Sequence, residues 1–353
     1  MDPRGFPTSI PEFQRVFPDD AACAKYLEAV RWPDGFTCPK CGVVGEPYRF
    51  ATRKSVVLRC RPCQVNTSLT AGTVMQGTHT PLSTWFWGAY LVTTQTPGMS
   101  ALQFQRQLGL GCYETAFQIL HKLRAGMVRS GRDTIGGEYP VEVDECYIGG
   151  RTQGEGRGVH HQTTVVGAVE VRTRRDAEER TAKWKESHEG GIPTKKLIYA
   201  GRLRLKVVSG IPSKLEMLAN PLTTGRGAEQ LCGFIQGNVS PGSTVRTDGW
   251  VGYKDLPQLS YTHEPLTING DSEKCEAHMP MIHLVFSNLK TWILGTHHGV
   301  SPQHLQAYLD EYTFRFNRRF YPMTAFHSVL GLAVKTVPPT YAQLYSGEWT
   351  RAA

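Results

Sequence analysis

Three groups of side chains in this sequence stand at spacings that can do chemistry. The stretch His278–Lys290 (HMPMIHLVFSNLK) reads as a helix with Pro280 at its first position, where a missing N–H costs nothing. Ile282, Val285, Phe286 and Leu289 give it an apolar face at spacings of three and four. His283 and Lys290 are seven apart and project in nearly the same direction. By itself a histidine on a half-buried helix is more often a packing residue than a ligand. Two earlier carboxylates on strand-like sequence change the balance. In PVEVDECYI, Val141 and Val143 alternate with Glu142 and Asp144, a strand with one polar face, and acidic groups on such a face are costly unless they bind something. Asp248 closes a second strand, STVRTDGW, although Asp-Gly is also an ordinary turn signal.

The third group is Cys38-Pro-Lys-Cys41 and Cys60-Arg-Pro-Cys63, with 18 residues between the pairs. Each Cys-x-x-Cys knuckle offers two thiolates, and two knuckles complete a tetrahedral zinc site with no open position, so the metal would be structural. A redox role for the pairs needs a βαβ context that is absent. Tyr48–Phe50 and Ser55–Arg59 read as short strands with Arg53 and Lys54 at the turn, which predicts a zinc ribbon. Arg53, Lys54, Arg59 and Arg61 suit phosphate contacts, while a purely stabilising knob is the alternative. Nine cysteines is an odd number, which argues against a disulfide framework. The remaining five, Cys23, Cys112, Cys146, Cys232 and Cys275, read as ordinary thiols.

The elements that must position these groups follow in order. A helix over 19–30, capped by Asp19 or Asp20, opens the chain. Residues 82–92 form an aromatic helix broken at Pro97-Gly98. Ser100–Leu108, a Gly109-Leu-Gly111 turn and Tyr113–Arg129 make either a helix-turn-helix or a plain helical hairpin. In the first case Gln118, His121, Lys122 and Arg124 would face DNA. Strands are expected at 141–148, 163–171 and 204–208, with the charge-dense segment between the last two solvated and partly disordered. A helix at 227–236, the strand before Asp248, the helix at 280 and a further helix over 302–319 complete the series. The end of the last, Arg315-Phe-Asn-Arg318-Arg319, can track a phosphate backbone, although a helix C-terminus favours basic residues in any case.

The bulk properties exclude little. The chain has 353 residues, room for two or three domains. It has no apolar run long enough to span a membrane and no signal-like N-terminus, so a cytoplasmic location is expected. A net charge of +8 is compatible with a polyanionic partner.

Three strands, a helix, a fourth strand ending in Asp and a late helix is the element order of an RNase H-like domain. Phosphodiester chemistry there takes two hard cations about 4 Å apart, and carboxylates on separate strands are suitable ligands. From about Cys38 to Arg319 the sequence resembles the DDE-type insertion-sequence transposases with an N-terminal zinc ribbon (the ISXO-two-like family), through CPKC…CRPC, VEVDECYIGG, TDGWVGY and SNLKTWILGTHHGVSPQHLQAYLDEYTFRFNRR. The resemblance implies that Asp144 and Asp248 are the first two catalytic carboxylates. The third, commonly a Glu seven residues before a Lys, falls on His283, with Lys290 as that Lys; Glu276 and Asn288 are rivals lacking the seven-residue relation. It further implies bound Mg²⁺ or Mn²⁺, cleavage of double-stranded DNA at terminal inverted repeats, strand transfer into target DNA, and a homo-oligomer on DNA. A decayed transposase that only binds DNA, a strand-hydrolysing nuclease of the same fold and a zinc-ribbon transcription factor are the competing expectations.

The expected fold class is therefore a multidomain α+β or α/β protein. Its parts are an N-terminal helical segment (1–36), a zinc ribbon (37–78), a helical DNA-binding segment (79–135), an RNase H-like catalytic domain of mixed sheet and flanking helices (136–330, with a charged insertion at 172–197) and a tail (331–353).

Overall fold

The computed structural model describes residues 7–51, 56–129, 131–149, 162–189, 196–208, 223–266 and 278–348. It divides into two compact units, residues 1–131 with 318–353, and residues 132–317.

Unit 2 is built on a five-stranded mixed sheet of order β6-β5-β4-β7-β8. Its strands are β4 (Val141–Ile148), β5 (Thr163–Thr173), β6 (Ile198–Val208), β7 (Thr244–Thr247) and β8 (Thr262–Pro265). β4 pairs antiparallel with β5 and parallel with β7. β8 had no sequence expectation, and β6 starts six residues earlier than expected. One face of the sheet, with Cys146, Ile148, Val165 and Val169, packs on helices α8 (Pro280–Trp292) and α9 (Pro302–Asn317) through Ile282, Val285, Phe286, Leu289, Leu305 and Leu309. The other face, with Val141, Val143, Val166 and Val245, packs on α7 (Thr223–Asn238) through Leu231, Phe234 and Ile235. A strand buried on both faces explains why β5, TTVVGAVEVRT, reads as a nearly continuous apolar run.

Gly167 sits opposite Asp144 in the β4–β5 pairing. A Cβ there would lie 2.8 Å from Phe286 Cε1 and 2.9 Å from Ile282 Cδ1. Glycine at this position lets α8 lie directly on the sheet.

The charged segment between β5 and β6, expected to be solvated and partly disordered, is helical in part. Among its described residues it folds into α6 (Ala177–Ser187), which buries no residue. Ion pairs Asp176–Arg180 (2.6 Å) and Glu179–Lys183 (2.5 Å) support it, each with the acid four residues before the base. Residues 190–195 of that expected insertion lie outside the described residues.

Unit 1 contains α1 (Ile10–Val16), α2 (Asp20–Arg31), the ribbon strands β1 (Tyr48–Ala51), β2 (Val56–Arg59) and β3 (Asn66–Ser68), then α3 (Leu82–Thr94), α4 (Ala101–Leu108) and α5 (Tyr113–Ala125). Asp19 caps α2 by accepting from the Ala22 N–H at 2.8 Å. The C-terminal residues correct the expectation of a domain running to 330 followed by a tail. They form α10 (Pro322–Ala333) and α11 (Tyr341–Ser346), and they belong to unit 1. The reason is aromatic packing: Phe326 of α10 meets Phe13, Phe17, Phe86 and Tyr90 at ring separations of 5.7–6.2 Å. Expected helix 302–319 ends at Asn317, where the division between units falls.

Gly167→Ala is expected to lower the stability of the protein by about 1–3 kcal/mol, the usual cost of overpacking, in urea unfolding. An unchanged midpoint would show that α8 does not need its close approach to the sheet.

Candidate active site and metal centre

β4 is the element from which the site is built. Glu142, Asp144 and Cys146 alternate onto the α8 side of the sheet, so the polar face of this strand meets a helix and not solvent. Glu142 is fully buried. Its Oε2 accepts the backbone N–H groups of Met281 and Ile282, both at 2.7 Å. These are amides of the first turn of α8, which have no partner within the helix. The carboxylate thus caps α8 from another element, where Pro280 and Met279 supply no side-chain cap. Burial pushes Glu142 up to about 7, opposed by these two N–H groups.

The next residue on this face, Asp144, places Oδ2 3.2 Å from His283 Nε2, with both side chains partly exposed. Lys290 is exposed on the same helix, and its charge opposes the effect of burial on the Cys146 thiol, which is pushed up to about 12. Glu142 meets the first turn of α8, and Asp144 meets His283 just beyond it. α8 packs over β4, β5 and β6.

Asp248 stands immediately after β7. In the parallel pairing Val141 faces Val245 and Glu142 faces Arg246. The pairing ends there, two residues before both Asp144 and Asp248. Both negative charges raise Glu145, which burial first pushes up to about 8. The Asp248 carboxylate also accepts the Trp250 N–H at 3.0 Å, so the turn reading of Asp-Gly holds alongside any ligand role. Among the described residues, the structure brings Asp144 and His283 into contact but does not draw Asp248 into one tight donor cluster with them.

Sequence reasoning missed a strut between the two aspartate segments. Tyr253, fully buried, donates its hydroxyl to Glu145 Oε1 at 2.6 Å. One end lies next to Asp144 and the other five residues after Asp248. Alternation put Glu145 on the far face of β4, and no spacing rule connects it to a tyrosine in a later turn. Glu142 had a signal, the cost of an acid on a strand face, but not a partner. The rivals for the third position do not enter the site: Asn288 is exposed, and Glu276 lies outside the described residues.

The four ribbon cysteines bring their sulfurs within 4.8 Å of one another. Cys38 and Cys63 are 3.5 Å apart, Cys41 and Cys60 3.6 Å, close to the edge of about 3.8 Å for a tetrahedron with Zn–S bonds of about 2.3 Å. The two knuckles are copies of one another. Cys38 N donates to Val43 O and Gly42 N to Cys38 O; Cys60 N donates to Val65 O and Gln64 N to Cys60 O. The residue after each second cysteine has positive φ, 73° at Gly42 and 57° at Gln64. Backbone N–H groups, that of Cys41 foremost, pull the Cys38 thiol down to about 6, while burial and the neighbouring sulfurs raise Cys41 and push Cys60 up to about 12. The donor set fits a structural zinc.

The residues expected to meet DNA are less uniform. α4 and α5 form the predicted hairpin, with Ser100 capping α4 and Gly109 in the left-handed conformation at its end. His121 and Arg124 are buried, 0% and 1% exposed, so neither can face DNA; the expectation is corrected by the inward turn of that side of α5. Lys122 is half-buried. Arg315 pairs with Glu311 at 3.5 Å on α9, and Arg318 and Arg319 are half-buried. Arg61 is exposed over the Tyr48 ring, and Arg59 holds Asn66. Arg53 and Lys54 lie outside the described residues.

Two family models match the chain. Residues 18–66 match a transposase zinc-ribbon domain and residues 217–317 an ISXO2-like transposase domain, the family that the motifs resemble. The first match contains all four cysteines. The second contains Asp248, His283 and Lys290 and begins after Asp144, whose place in the site rests on its contact with His283. The class indicated by both matches is that of insertion-sequence transposases. No curated protein and no solved structure matches the chain. Among the described residues no helix is long and apolar enough to cross a membrane.

Glu142→Ala is expected to cost about 1–3 kcal/mol by leaving two helix amides unpaired, and Glu142→Gln less, because its carbonyl still accepts. Equal denaturation midpoints for the two variants would remove the cap from the account. Cys60→Ser is expected to lose the bound zinc, one per chain, measured on the purified protein by atomic emission; a full complement of zinc in the variant would refute the ligand set.

Proposed function

We propose that the chain is a DDE-type transposase that cleaves DNA at the ends of its element and joins the freed ends to target DNA, with Asp144, Asp248 and His283 as the catalytic set. The observation that carries this reading is the Asp144–His283 contact, with Asp248 immediately after the strand that pairs in parallel with β4. Two carboxylates from adjacent strands are hard donors that suit Mg²⁺, and the imidazole suits Mn²⁺ better. A divalent cation held there supplies polarisation of the phosphodiester and an activated water or 3′-hydroxyl.

The chain's own residues do the rest. Asp144, 3.2 Å from His283 Nε2, orients the ring. Lys290, on the same stripe of α8, meets a phosphate beside the bond to be broken. Hydrolysis adds water across that bond and leaves a 3′-hydroxyl, which then attacks a target phosphodiester and displaces a new 3′-hydroxyl without net loss of ester bonds. Pairing two element ends calls for at least two copies of the chain, hence a homo-oligomer on terminal-repeat DNA.

The test is cleavage of a labelled terminal-repeat duplex in Mg²⁺ and in Mn²⁺. Asp144→Asn and Asp248→Asn are expected to reduce cleavage to background while duplex binding stays within twofold, and His283→Ala to lose the reaction in both metals. Normal cleavage by either aspartate variant would sink the assignment. A silent wild type that becomes active as His283→Glu would mean a DNA-binding protein that has lost its chemistry.

A further inference from the structure

The net positive charge of the chain resides entirely in unit 1. Residues 1–131 and 318–353 contain 18 Lys and Arg against 9 Asp and Glu, a balance of +9, whereas residues 132–317 contain 21 against 22, a balance of −1. Within unit 1 an open cleft of about 400 Å³ lies between α2 and α10. Arg129, Arg318 and Lys335 line it, with His327 and Ser328, and among the described residues no Asp or Glu does so.

The fold brings these cations together from three separate segments. Gly126, just after α5, comes so close to α10 that a Cβ would lie 3.2 Å from Ala333 Cα, and Val74 N donates to Ala333 O at 3.1 Å. That approach carries Arg129, three residues on, to the mouth of the cleft. The other wall is pinned where the Tyr26 hydroxyl of α2 and His327 Nδ1 of α10 lie 2.6 Å apart. Arg129 and Arg318 are near enough that their charges oppose each other. Lys335 follows the C-terminus of α10, and the helix dipole alone would account for it. The dipole does not account for two guanidinium groups from separate segments lining one concavity.

We propose that this cleft holds the phosphate backbone of duplex DNA, with Arg129, Arg318 and Lys335 each meeting phosphate oxygens. The proposal rests on the reading of the protein as a DNA transposase and gives it a second, non-catalytic contact that positions the duplex without reading its sequence. The near-neutral catalytic unit has little charge of its own to retain a polyanion, and the basic unit supplies that grip.

The experiment uses the full chain and a fluorescent duplex, with affinity measured from 50 to 200 mM KCl. Arg129→Gln/Lys335→Gln alters two exposed side chains and is expected to keep the unfolding midpoint of the wild type. It should bind terminal-repeat and scrambled duplexes more weakly by the same factor. The slope of log affinity against log salt should shrink by about two, since each phosphate contact contributes about 0.9. Lys183→Gln/Lys185→Gln removes the same charge from α6 and should leave the slope unchanged. Arg318→Lys keeps the charge and loses the fork, and should fall between wild type and the double variant. An unchanged slope for the cleft variant, or an equal loss in the α6 control, overturns the cleft. A wild type that binds no duplex overturns the transposase reading with it.

Discussion

The candidate site depends on one buried carboxylate. Glu142 accepts the first two free amides of α8 and in doing so fixes both where that helix starts and how far along β4 it begins. His283, the residue after the second of these amides, meets Asp144 two residues along β4. Burying the acid is unfavourable in itself, as its upward shift shows, and the two short N–H contacts offset that cost. Gly167 completes the joint from β5 by allowing Phe286 and Ile282 to touch the sheet.

The two aspartates are held by different means. Asp144 is mid-strand, within an eight-residue β4 paired on both sides, and its position follows from the sheet. Asp248 stands in a turn beyond a four-residue strand. Its anchorage comes from its own contact with the Trp250 N–H and from the Tyr253–Glu145 strut, which ties the turn back to the strand beside Asp144.

Much of this was legible in the sequence, and what was not has physical reasons. The cysteine knuckles, β4, the strand before Asp248 and the helix from Pro280 announce themselves through spacing and period. The strut could not be read, because Glu145 and Tyr253 meet only through tertiary packing. The helix-facing residues of α5 were misread at His121 and Arg124: polar side chains suggested an outward face, whereas both turn into unit 1. Residues 322–330 were expected to end the catalytic domain and 331–353 to form a tail, because Pro, Gly and aromatics interrupt the pattern, yet Phe326 is the ring that closes the aromatic cluster around Phe13 and Phe17.

That closure has a consequence for how the protein is made. Unit 1 takes its helices from both sides of unit 2 in sequence, so during synthesis the ribbon, α3 and α5 emerge long before their partner α10. Unit 2 has all its strands by then and can fold as a unit on the ribosome. The aromatic cluster must wait for Phe326, and the basic cleft for Arg318 and Lys335. The sheet that bears the candidate catalytic residues is thus complete before the surface that would hold DNA, and a nascent chain cut short before α10 would own the first without the second.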